Sequence, residues 1–548
     1  MPLQKNQVLT LQVERLSSDG SGVAHSPEGE TVFIPGAAPG DEARVRIVKD
    51  CKRYAFGILD EVLKPSPDRI PVDCAVAGPC GGCSLRHLDY AAELRAKQEN
   101  VADTFARIGG LDVPVLPIVG SPEIDRYRNK VQFPVGTDKA GRPCIGFYAG
   151  RTHRIVPCPD CRLQPGVLNE IGNTLCAFFA EKGIHPYNEE TGKGLVRHIF
   201  LRRGAHSGQI MVCLVCTRAK LPSAEELCTR LKEAFPDIVT ILLNVNAKNT
   251  NVILGSETHT LYGQGYIEDT LCGVPVQLGP LSFYQVNTLA AEQLYGIAAE
   301  YAQLTPDDLL LDLYCGMGTI GLSMADHCRE LVGVEIVPEA IESARANAAR
   351  MGAAVSAKSR FFCADAGQAA AQLAAEGLHP DVVMLDPPRK GCDEATLSAV
   401  VRMAPRRVVY VSCNPATAAR DAAWLEQNGY HAEKVQPVDL FPRTKHVEAV
   451  LLLTKLNVER HIEVDVSMDE LDVTAAESKA TYDEIKAYVL EKHGLKVSSL
   501  YISQVKRKCG LDVGQNYNLS KKEDAKVPQC PPEKEAAIME ALKHFQML

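Results

Sequence analysis

The stretch RVVYVSCNP, at residues 407–415, has the character of a buried strand that stops abruptly. Its unbroken run of β-branched and aromatic residues is typical of a strand covered on both faces, as in a parallel sheet. Pro415 has no backbone N–H and ends the ladder. Cys413 therefore lies at the carboxyl end of a strand, the edge where open α/β sheets hold their ligands. A single cysteine there is also a common small core residue, so its neighbours decide its role.

Strands alternate with helices on both sides of this stretch, which predicts a parallel α/β sheet. LLLDLYCGMGTIGLSMA, residues 309–325, is typical of a strand, a glycine-rich turn and a helix. Gly316, Gly318 and Gly321 form a GxGxxG pattern, and Glu335 ends the next strand, ELVGVE. Such a turn lets the backbone approach a ligand, while the carboxylate binds ribose hydroxyls. NAD-dependent dehydrogenases share this pattern, so it does not identify the nucleotide alone.

Further strands end or begin with polar groups. SRFFCADA ends near Asp365, DVVMLDPPRKG carries Asp386, and HVEAVLLLT, predicted as a strand over residues 446–454, includes Glu448. Asp386-Pro-Pro resembles the Asp/Asn-Pro-Pro-aromatic motif of amino-group methylases, in which the aromatic ring stacks on the target base. Here the next residue is Arg389, which disfavours that mechanism.

Methylation of a pyrimidine carbon suits these residues better. Uracil C5 is a weak nucleophile until a thiolate adds at C6 and turns the ring into an enolate. The C5 proton must then be removed and the thiol expelled. This chemistry needs an activated cysteine, a proton acceptor and a methyl donor held in line. Cys413, Glu448 and the glycine-rich crevice would supply the three.

DLYCGMG, DPPRKG, VSCNPAT and HVE together resemble the RNA uracil-5-methyltransferase family, and the likeness extends from the amino terminus to about Lys455. The chain is most similar in layout to the branch that acts on 23S ribosomal RNA. The resemblance implies a Rossmann-like class I methyltransferase domain that makes 5-methyluridine, with Cys413 as nucleophile and Glu448 as general base. It also implies a crevice for S-adenosylmethionine (SAM) formed by Gln285, Tyr314, Thr319, Glu335, Asp365 and Asp386.

The first 63 residues alternate apolar and polar positions between Gly, Asp and Pro turns, which predicts a small antiparallel barrel. GSGVA at Gly20–Ala24, followed by VFIPGAAPGD, resembles a TRAM domain, an OB-like barrel that binds RNA. A generic β module is the alternative on pattern alone.

Cys74, Cys80 and Cys83 stand close together in a Pro- and Gly-rich stretch, and Cys158 and Cys161 follow in CPDC. Four thiolates can hold tetrahedral zinc or an iron–sulfur cluster, and the residues alone leave both the metal and the fourth ligand open. The family resemblance implies a [4Fe–4S] cluster on Cys74, Cys80, Cys83 and Cys161, with Cys158 as the substitute for Cys161. Ordinary free cysteines are the alternative.

The central region is predicted as an α+β domain whose strands carry basic and aromatic side chains. Such interleaving suits phosphate contact and base stacking, although a solvated charged face is the alternative. The residues of this predicted RNA surface are Arg126, Tyr127, Arg128, Lys130, Phe133, Phe147, Arg151, His153, Arg154, Arg197, His198, Arg202 and Arg203.

Composition excludes several classes of protein. Hydrophobic residues make up 46% and charged residues 23% of the 548, which is typical of a soluble globular chain. No apolar run reaches the length of a membrane span and the start lacks a signal-peptide core, so we expect a cytoplasmic protein. The 19 cysteines are then thiols or ligands rather than disulfides. A net charge of −9 restricts any nucleic-acid surface to a local patch.

The tail departs from the family pattern. After an acidic, linker-like stretch it predicts helices separated by Gly494 and a third helix that starts at a proline pair. Lys506, Arg507 and Lys508 make it a candidate RNA or protein contact, and a cap packed on the catalytic domain is the alternative. The predicted parts are a TRAM-like barrel at 1–63, a central domain at 64–278, a methyltransferase domain at 279–456 and a helical accessory extension at 457–548.

The leading hypothesis is thus a SAM-dependent methyltransferase for uridine in large-subunit ribosomal RNA, acting as a monomer. Transfer RNA, or two ribosomal sites, are alternative substrates for the same chemistry. An NAD-linked dehydrogenase would leave Cys413, Asp386 and the clustered cysteines without a role. A non-catalytic iron–sulfur RNA-binding protein would leave the nucleophile and base without one.

Overall fold

The computed structural model describes residues 3–150, 152–248, 250, 252–456, 482–509 and 530–545. The chain forms two compact units, Met1–Asn457 and Val458–Leu548, and each is described by itself. The prediction for Arg151, and the acidic linker predicted after residue 456, fall outside the described residues.

A closed five-stranded barrel opens the first unit and confirms the predicted OB-like module. The strand order is β1-β2-β3-β5-β4, with β3 and β5 parallel and the other pairs antiparallel. Alternate residues of β3 point inward, and Val32 and Ile34 are fully buried. The strands are β1 (Val8–Leu16), β2 (Ser21–His25), β3 (Thr31–Pro35), β4 (Glu42–Asp50) and β5 (Tyr54–Lys64).

Helix α1 (Tyr90–Thr104) follows the first cysteine segment and continues as one π-helical turn, Phe105–Gly109. Asp89 caps this helix by accepting a hydrogen bond from the backbone N–H of Ala92 at 2.7 Å. Val101 and Phe105 are buried against the carboxyl-terminal sheet. The helix therefore supports the sheet that carries the candidate site.

The central region is a seven-stranded sheet in the order β12-β11-β10-β9-β6-β7-β8, with a core against two helices. Neighbouring strands are antiparallel except β10 and β11, which are parallel. The elements are β6 (Lys130–Thr137), β7 (Pro143–Tyr148), β8 (Ile155–Pro157), α2 (Gly166–Glu181), β9 (Val196–Arg203), β10 (Ile210–Cys216), α3 (Ala224–Ala234), β11 (Ile238–Val245) and β12 (Glu257–Tyr262).

Five of the 13 residues of the predicted RNA surface are buried, most of them in this sheet, so that part of the prediction is wrong. Strand β9 is central and covered on both faces, which leaves it no face for RNA. Arg202 is 1% exposed and donates to the carbonyl of Ser282 at 2.7 Å, while Arg197 donates to the carbonyl of Lys248 at 2.6 Å. These guanidinium groups bind backbone rather than phosphate. The buried members of the predicted surface are Tyr127, Phe133, Arg197, His198 and Arg202.

A hairpin, β13 (Ile267–Leu271) and β14 (Val274–Leu278), leads into the carboxyl-terminal sheet. That sheet has the order β17-β16-β15-β18-β19-β21-β20, and β21 runs antiparallel to both of its neighbours. Separate apolar cores cover its two faces. The elements are α4 (Thr288–Ala302), β15 (Leu309–Leu313), α5 (Thr319–Ser323), β16 (Glu330–Glu335), α6 (Pro338–Arg350), α7 (Ala353–Lys358), β17 (Ser359–Cys363), α8 (Ala366–Ala375), β18 (Val382–Leu385), α9 (Glu394–Met403), β19 (Arg407–Ser412), α10 (Pro415–Gln427), β20 (Tyr430–Val438) and β21 (Glu448–Lys455).

Residues 482–509 and 530–545 of the second unit form three helices, α11 (Tyr482–His493), α12 (Ser499–Lys508) and α13 (Pro532–His544), as the sequence predicted. Apolar residues of all three helices form its core. Lys506 is buried and Lys508 pairs with Glu535 at 2.7 Å, so the predicted basic surface carries less free charge than the sequence suggested. In both units, no described helix has the length and apolar character needed to cross a membrane.

Candidate active site

The carboxyl end of β19 meets the start of β21 at one edge of the sheet. In the antiparallel ladder the last pair is Ser412 with Ala449; Cys413 follows the one and Glu448 precedes the other. Cys413 is half-buried and Glu448 is buried. The charge of Glu448 acts on the Cys413 thiol, so the two groups are close to one another.

The turn that carries Cys413 is held by hydrogen bonds on both sides. Asn414 caps α10 by accepting from the N–H of Ala416 at 3.2 Å, and its own N–H donates to Ser412 Oγ at 3.0 Å. Its Nδ2 donates to the carbonyl of Arg389 at 2.9 Å. The thiol therefore sits at the amino end of a helix, where the helix dipole favours a thiolate.

Charged groups around Cys413 act in opposite directions on its ionisation. Burial raises the pKa of the Cys413 thiol, and the nearby Glu448 and Asp386 carboxylates raise it further. Arg389 lowers it, both by its charge and by a hydrogen bond to the thiol. The net effect is a raised pKa of the thiol, so a neighbouring base must take its proton before the sulfur can attack.

The two carboxylates are themselves shifted towards neutral pH. Burial raises the pKa of Glu448 to about 8, with the charge of Asp386 adding to it and Arg389 opposing it. Burial likewise raises the pKa of Asp386 to about 7. Buried acids with such pKa values can both accept and return a proton near neutral pH.

The turn after β15 departs from ordinary backbone geometry. Tyr314, Gly316 and Gly318 have φ angles of 65°, 55° and 79°, in the left-handed region. The N–H of Gly316 donates to Glu335 Oε2 at 3.1 Å, and Glu335 Oε1 accepts from the N–H of Ile336 at 2.8 Å. The carboxylate at the end of β16 is thereby oriented at the turn and keeps lone pairs for a ligand.

Other predicted crevice residues lie around this turn. The hydroxyl of Tyr314 is 3.3 Å from Thr396 Oγ1, and Thr319, which is buried, hydrogen-bonds Tyr295 at 3.2 Å. Asp365 caps α8, and the N–H of the preceding residue, Ala364, donates to the carbonyl of Glu335 at 2.9 Å. Asp365 is therefore beside Glu335, whereas the hydroxyl of Thr319 is turned into the core.

Gln285 lies in the loop before α4. Its carbonyl accepts from Asn129 Nδ2 at 2.7 Å. Two residues later, Asn287 donates to Ser121 Oγ and to the carbonyl of Leu440, both at 3.0 Å. Leu440 belongs to the loop that leads into β21, so the Gln285 loop is joined to the segment that precedes Glu448.

Sequence reasoning missed two charged residues of this edge. The sequence showed Arg389 only as the residue that stands where related motifs have an aromatic one. In the structure the loop that carries Arg389 lies against the Cys413 turn, and its guanidinium acts on the thiol. Asp312, inside β15, accepts from the N–H of Gly321 at 3.0 Å. Burial raises the pKa of Asp312 to about 8. Asp312 could have been identified from the sequence, because it is the acidic residue in the otherwise apolar strand LLLDL.

The five cysteines singled out in the sequence come together from two segments. Burial raises the pKa of Cys83 to about 11, and the nearby Cys161 and Cys80 thiolates raise it further. Cys158 donates a hydrogen bond to Cys161, which lowers the pKa of Cys161 to about 6. Within the described ranges no three Cys, His, Asp or Glu side chains stand at metal-ligand spacing. The sulfur atoms of these cysteines are suitable ligands for a thiolate-bound metal. To bind one, their side chains would have to move closer to a common centre.

Ion pairs tie the two cysteine segments together. Arg86 donates to Asp73 at 2.7 Å and also to Asp125, while Arg162 pairs with Asp73 at 3.1 Å. Asp73 precedes the first cysteine, and Arg162 follows the last. The segments are therefore held side by side by groups that are not themselves thiols.

These features define a class I methyltransferase domain. Its sheet is parallel except for β21, which lies between β19 and β20 and runs antiparallel to both. The glycine-rich turn follows β15, and acidic groups line one edge of the sheet. The chain belongs to the tRNA (uracil-5-)-methyltransferase family, which matches residues 207–456, and residues 2–59 match the TRAM domain. Both resemblances expected from the sequence are thus confirmed.

Several relatives match over most of the chain. It is 43% identical to an uncharacterized RNA methyltransferase of Halalkalibacterium halodurans over 457 residues, 83% of this chain and 99% of the relative. It is 41% identical to another from Clostridium tetani, over 83% of this chain and 98% of the relative. Among solved structures, the Pyrococcus abyssi tRNA (uracil-54, C5)-methyltransferase in complex with S-adenosyl-L-homocysteine matches with a TM-score of 0.64 and 28% identity, over 82% of this chain and 100% of that one.

Proposed function

We propose that this protein methylates C5 of uridine in RNA through a transient covalent bond between Cys413 Sγ and uracil C6. The observation that carries the proposal is the placement of Cys413 and Glu448 at adjoining ends of β19 and β21, with Asp386 and Arg389 acting on both. A nucleophile and a proton acceptor on opposed strands are what this reaction needs.

The residues act in sequence. The Cys413 thiol loses its proton to a neighbouring carboxylate, and its sulfur bonds to C6, which makes C5 nucleophilic. SAM supplies the electrophilic methyl group that C5 takes. Glu448 then removes the C5 proton, the C6–sulfur bond breaks, and the thiolate is regenerated. The uracil must leave its base stack to reach the thiol.

The same edge provides the groups for the methyl donor. Glu335, oriented by the N–H of Gly316, would bind the ribose hydroxyls, and the Tyr314 ring would flank the adenine. Asp386 would lie near the donor and the target base. The remaining proposed contacts are Gln285, Thr319 and Asp365. The Pyrococcus abyssi relative was solved with S-adenosyl-L-homocysteine, which supports this assignment.

We propose large-subunit ribosomal RNA as the substrate, because the barrel and the cysteine segments resemble the ribosomal branch. Transfer RNA is the second candidate, since the Pyrococcus abyssi relative is a tRNA enzyme. Methylation of unmodified 23S RNA and of tRNA transcripts, compared side by side, separates the two.

We also propose that Cys74, Cys80, Cys83 and Cys161 hold a [4Fe–4S] cluster. Their proximity across two segments supports it, and so does the pKa of Cys161, which is lowered to about 6 and favours the thiolate that a metal binds. The cluster would shape the region next to the catalytic sheet, and methyl transfer requires no electron from it.

Cys413→Ala tests the proposed chemistry directly. RNA with 5-fluorouridine cannot lose the C5 substituent as a proton, so wild-type protein should remain bonded to it on a denaturing gel. Cys413→Ala should form no such band, whereas Cys363→Ala, which removes an exposed thiol at the end of β17, should form it normally. Normal methylation by Cys413→Ala would refute the covalent mechanism.

A further inference from the structure

The loop between β18 and α9, residues 386–393, lies against helix α10, which follows the turn of the candidate nucleophile. This segment carries Arg389, and we call it the Arg389 loop. Asn414 Nδ2 and Thr417 Oγ1 donate to the carbonyl of Arg389, at 2.9 and 3.4 Å. The loop is thus attached to the helix at the residue whose guanidinium acts on the thiol.

A buried carboxylate of α10, Asp421, makes the second attachment. Asp421 is 1% exposed, and its Oδ2 accepts from the backbone N–H of Cys392 at 2.8 Å and from the hydroxyl of Tyr410 at 2.6 Å. Its Oδ1 accepts from Arg420 Nε at 2.7 Å, and Arg420 Nη2 donates to the carbonyl of Cys392 at 3.2 Å. One carboxylate therefore joins three elements, namely helix α10, the Arg389 loop, and strand β19 at a residue three before the thiol.

Close packing around Asp421 fixes the path of the loop. Gly391 has a φ of 78°, and a Cβ added to it would lie 2.6 Å from Asp421 Oδ2 and 3.0 Å from the Cβ of Thr417. The loop backbone therefore passes directly over the carboxylate. Asn414, Thr417 and Asp421 follow one another at i, i+3 and i+7, which places them on one face of α10. This face of the helix receives the loop.

The attachment matters because Arg389 is exposed and acts on Cys413 from a loop. Ordering a long side chain and the backbone beneath it costs conformational entropy, so an unattached loop would keep the guanidinium near the thiol for less of the time. We propose that Asp421 is a positioning residue, which holds the Arg389 loop on α10 so that the guanidinium stays hydrogen-bonded to Cys413 Sγ. This inference rests on the proposed function, because it takes Cys413 as the nucleophile.

Asp421→Asn tests this role because it keeps the size of the side chain and removes its charge. The amide turns N–H groups towards donors that the carboxylate accepts from, so the loop should loosen. The readout is the pH profile of Cys413 alkylation by iodoacetamide in the full-length protein, measured on the Cys413 peptide by mass spectrometry. The midpoint of this profile should rise by about one pH unit, so that alkylation at pH 7.5 slows about tenfold. The double variant Asp421→Asn/Arg389→Met should react no more slowly than Arg389→Met, because both changes remove the same contact.

Asp308→Asn is the matched control. Asp308 is also a buried carboxylate, accepts from the backbone N–H of Thr305 at 2.6 Å and binds Arg406 at 2.6 Å. It directly precedes β15, at the opposite end of the parallel strands from the thiol. Its substitution should lower the unfolding free energy without moving the alkylation profile. Tyr410→Phe, which takes one donor from Asp421 and keeps the charge, should slow alkylation at pH 7.5 about threefold.

An unchanged profile in Asp421→Asn would overturn the proposal, and if that variant does not fold, an unchanged profile in Tyr410→Phe would do so. Slowing of the double variant by the product of the two single effects, or an equal shift in Asp308→Asn, would also contradict it. Alkylation needs neither RNA nor methyl donor. If the wild-type protein forms no bond with 5-fluorouridine RNA, the proposed function is refuted, and the role of Asp421 is still decided by the alkylation profile.

Discussion

Cys413 and Glu448 stand at adjoining strand ends, because Cys413 follows Ser412, and the ladder partner of Ser412 is Ala449, the residue directly after Glu448. The end of the ladder between β19 and β21 thus brings the two residues to the same edge of the sheet. Such a placement keeps the thiol and the carboxylate in fixed relation while a substrate enters. It also gives the carboxylate access to whatever the sulfur binds.

Glu448→Gln should separate bond formation from product release. The amide keeps the size of the side chain but cannot take the C5 proton, so the adduct with ordinary uridine RNA should accumulate. Multiple-turnover methylation should fall by about 100-fold or more, measured as transfer of labelled methyl groups. Glu433→Gln, on exposed surface of β20, is the control. Unchanged turnover in Glu448→Gln would remove this residue from the mechanism.

The raised pKa of Glu448, about 8, predicts a pH dependence of stability with a definite sign. The folded protein holds this proton up to a higher pH than the unfolded chain does. The resulting stabilisation is present below the usual pKa of a glutamate and is lost as pH rises through about 8. Between pH 5 and pH 9 the unfolding free energy of Glu448→Gln should therefore rise relative to that of the wild type. The difference between the two proteins should grow by roughly 2–4 kcal/mol over this range. Denaturant unfolding at both pH values measures it, and a gap that narrows towards pH 9 would contradict the assignment.

Arg389→Met should make Cys413 less reactive. Arg389 hydrogen-bonds the thiol and opposes the two carboxylates that raise the pKa of Cys413. Its removal should slow alkylation of Cys413 by iodoacetamide at pH 7.5 about tenfold. Peptide mass spectrometry measures the rate of this alkylation. Lys390→Met, at the exposed residue next along the chain, should have little effect. If both variants react like the wild type, Arg389 does not stabilise the thiolate.

The catalytic sheet was predictable because its strands are apolar runs that end in distinctive residues. ELVGVE coincides with β16, and the strand before Cys413 ends at Ser412 as expected. Strand β20 was not predicted, since YHAEKVQPV mixes charged residues with apolar ones. The edge role of Arg389 depends on the loop after β18 folding back onto the turn of α10, which a local pattern does not encode.

The failure at β9 has a different cause. VRHIFLRRG carries basic pairs on both sides of a short apolar run, and the basic residues in isolation favour a strand with an exposed face. Both faces are in fact covered, and backbone carbonyls of other segments accept from Arg197 and Arg202. Long-range acceptors of this kind become visible only once the chain has folded.

Cysteine variants should show which thiols hold the proposed cluster. In protein purified without oxygen, Cys83→Ser should lose most of the bound iron and sulfide, determined chemically, while Cys144→Ser, a half-buried thiol on β7, should retain it. Cys161→Ser should behave like Cys83→Ser, and Cys158→Ser should keep the iron. The reverse order for the last pair would make Cys158 the fourth ligand. Wild-type protein without iron would refute the cluster.

Lys97→Met should destabilise the first unit more than an exposed ion pair would. Lys97 is buried in α1 and donates to Glu93 Oε1 and Asp439 Oδ1, both at 2.8 Å, and Asp439 opens the loop that leads to Glu448. Without the cation two buried carboxylates face each other, which should cost about 3–5 kcal/mol of unfolding free energy.

The exposed pair of Arg107 with Asp103 provides the contrast, because Arg107→Met should cost no more than about 1 kcal/mol. Burial raises the pKa of Glu93 and Lys97 lowers it, so removing Lys97 raises that pKa further. The destabilisation by Lys97→Met should therefore shrink as pH falls and the carboxylates take up protons. Denaturant unfolding at pH 5 and pH 8 tests this, and a loss that does not change with pH would mean that packing, rather than uncompensated charge, explains the effect.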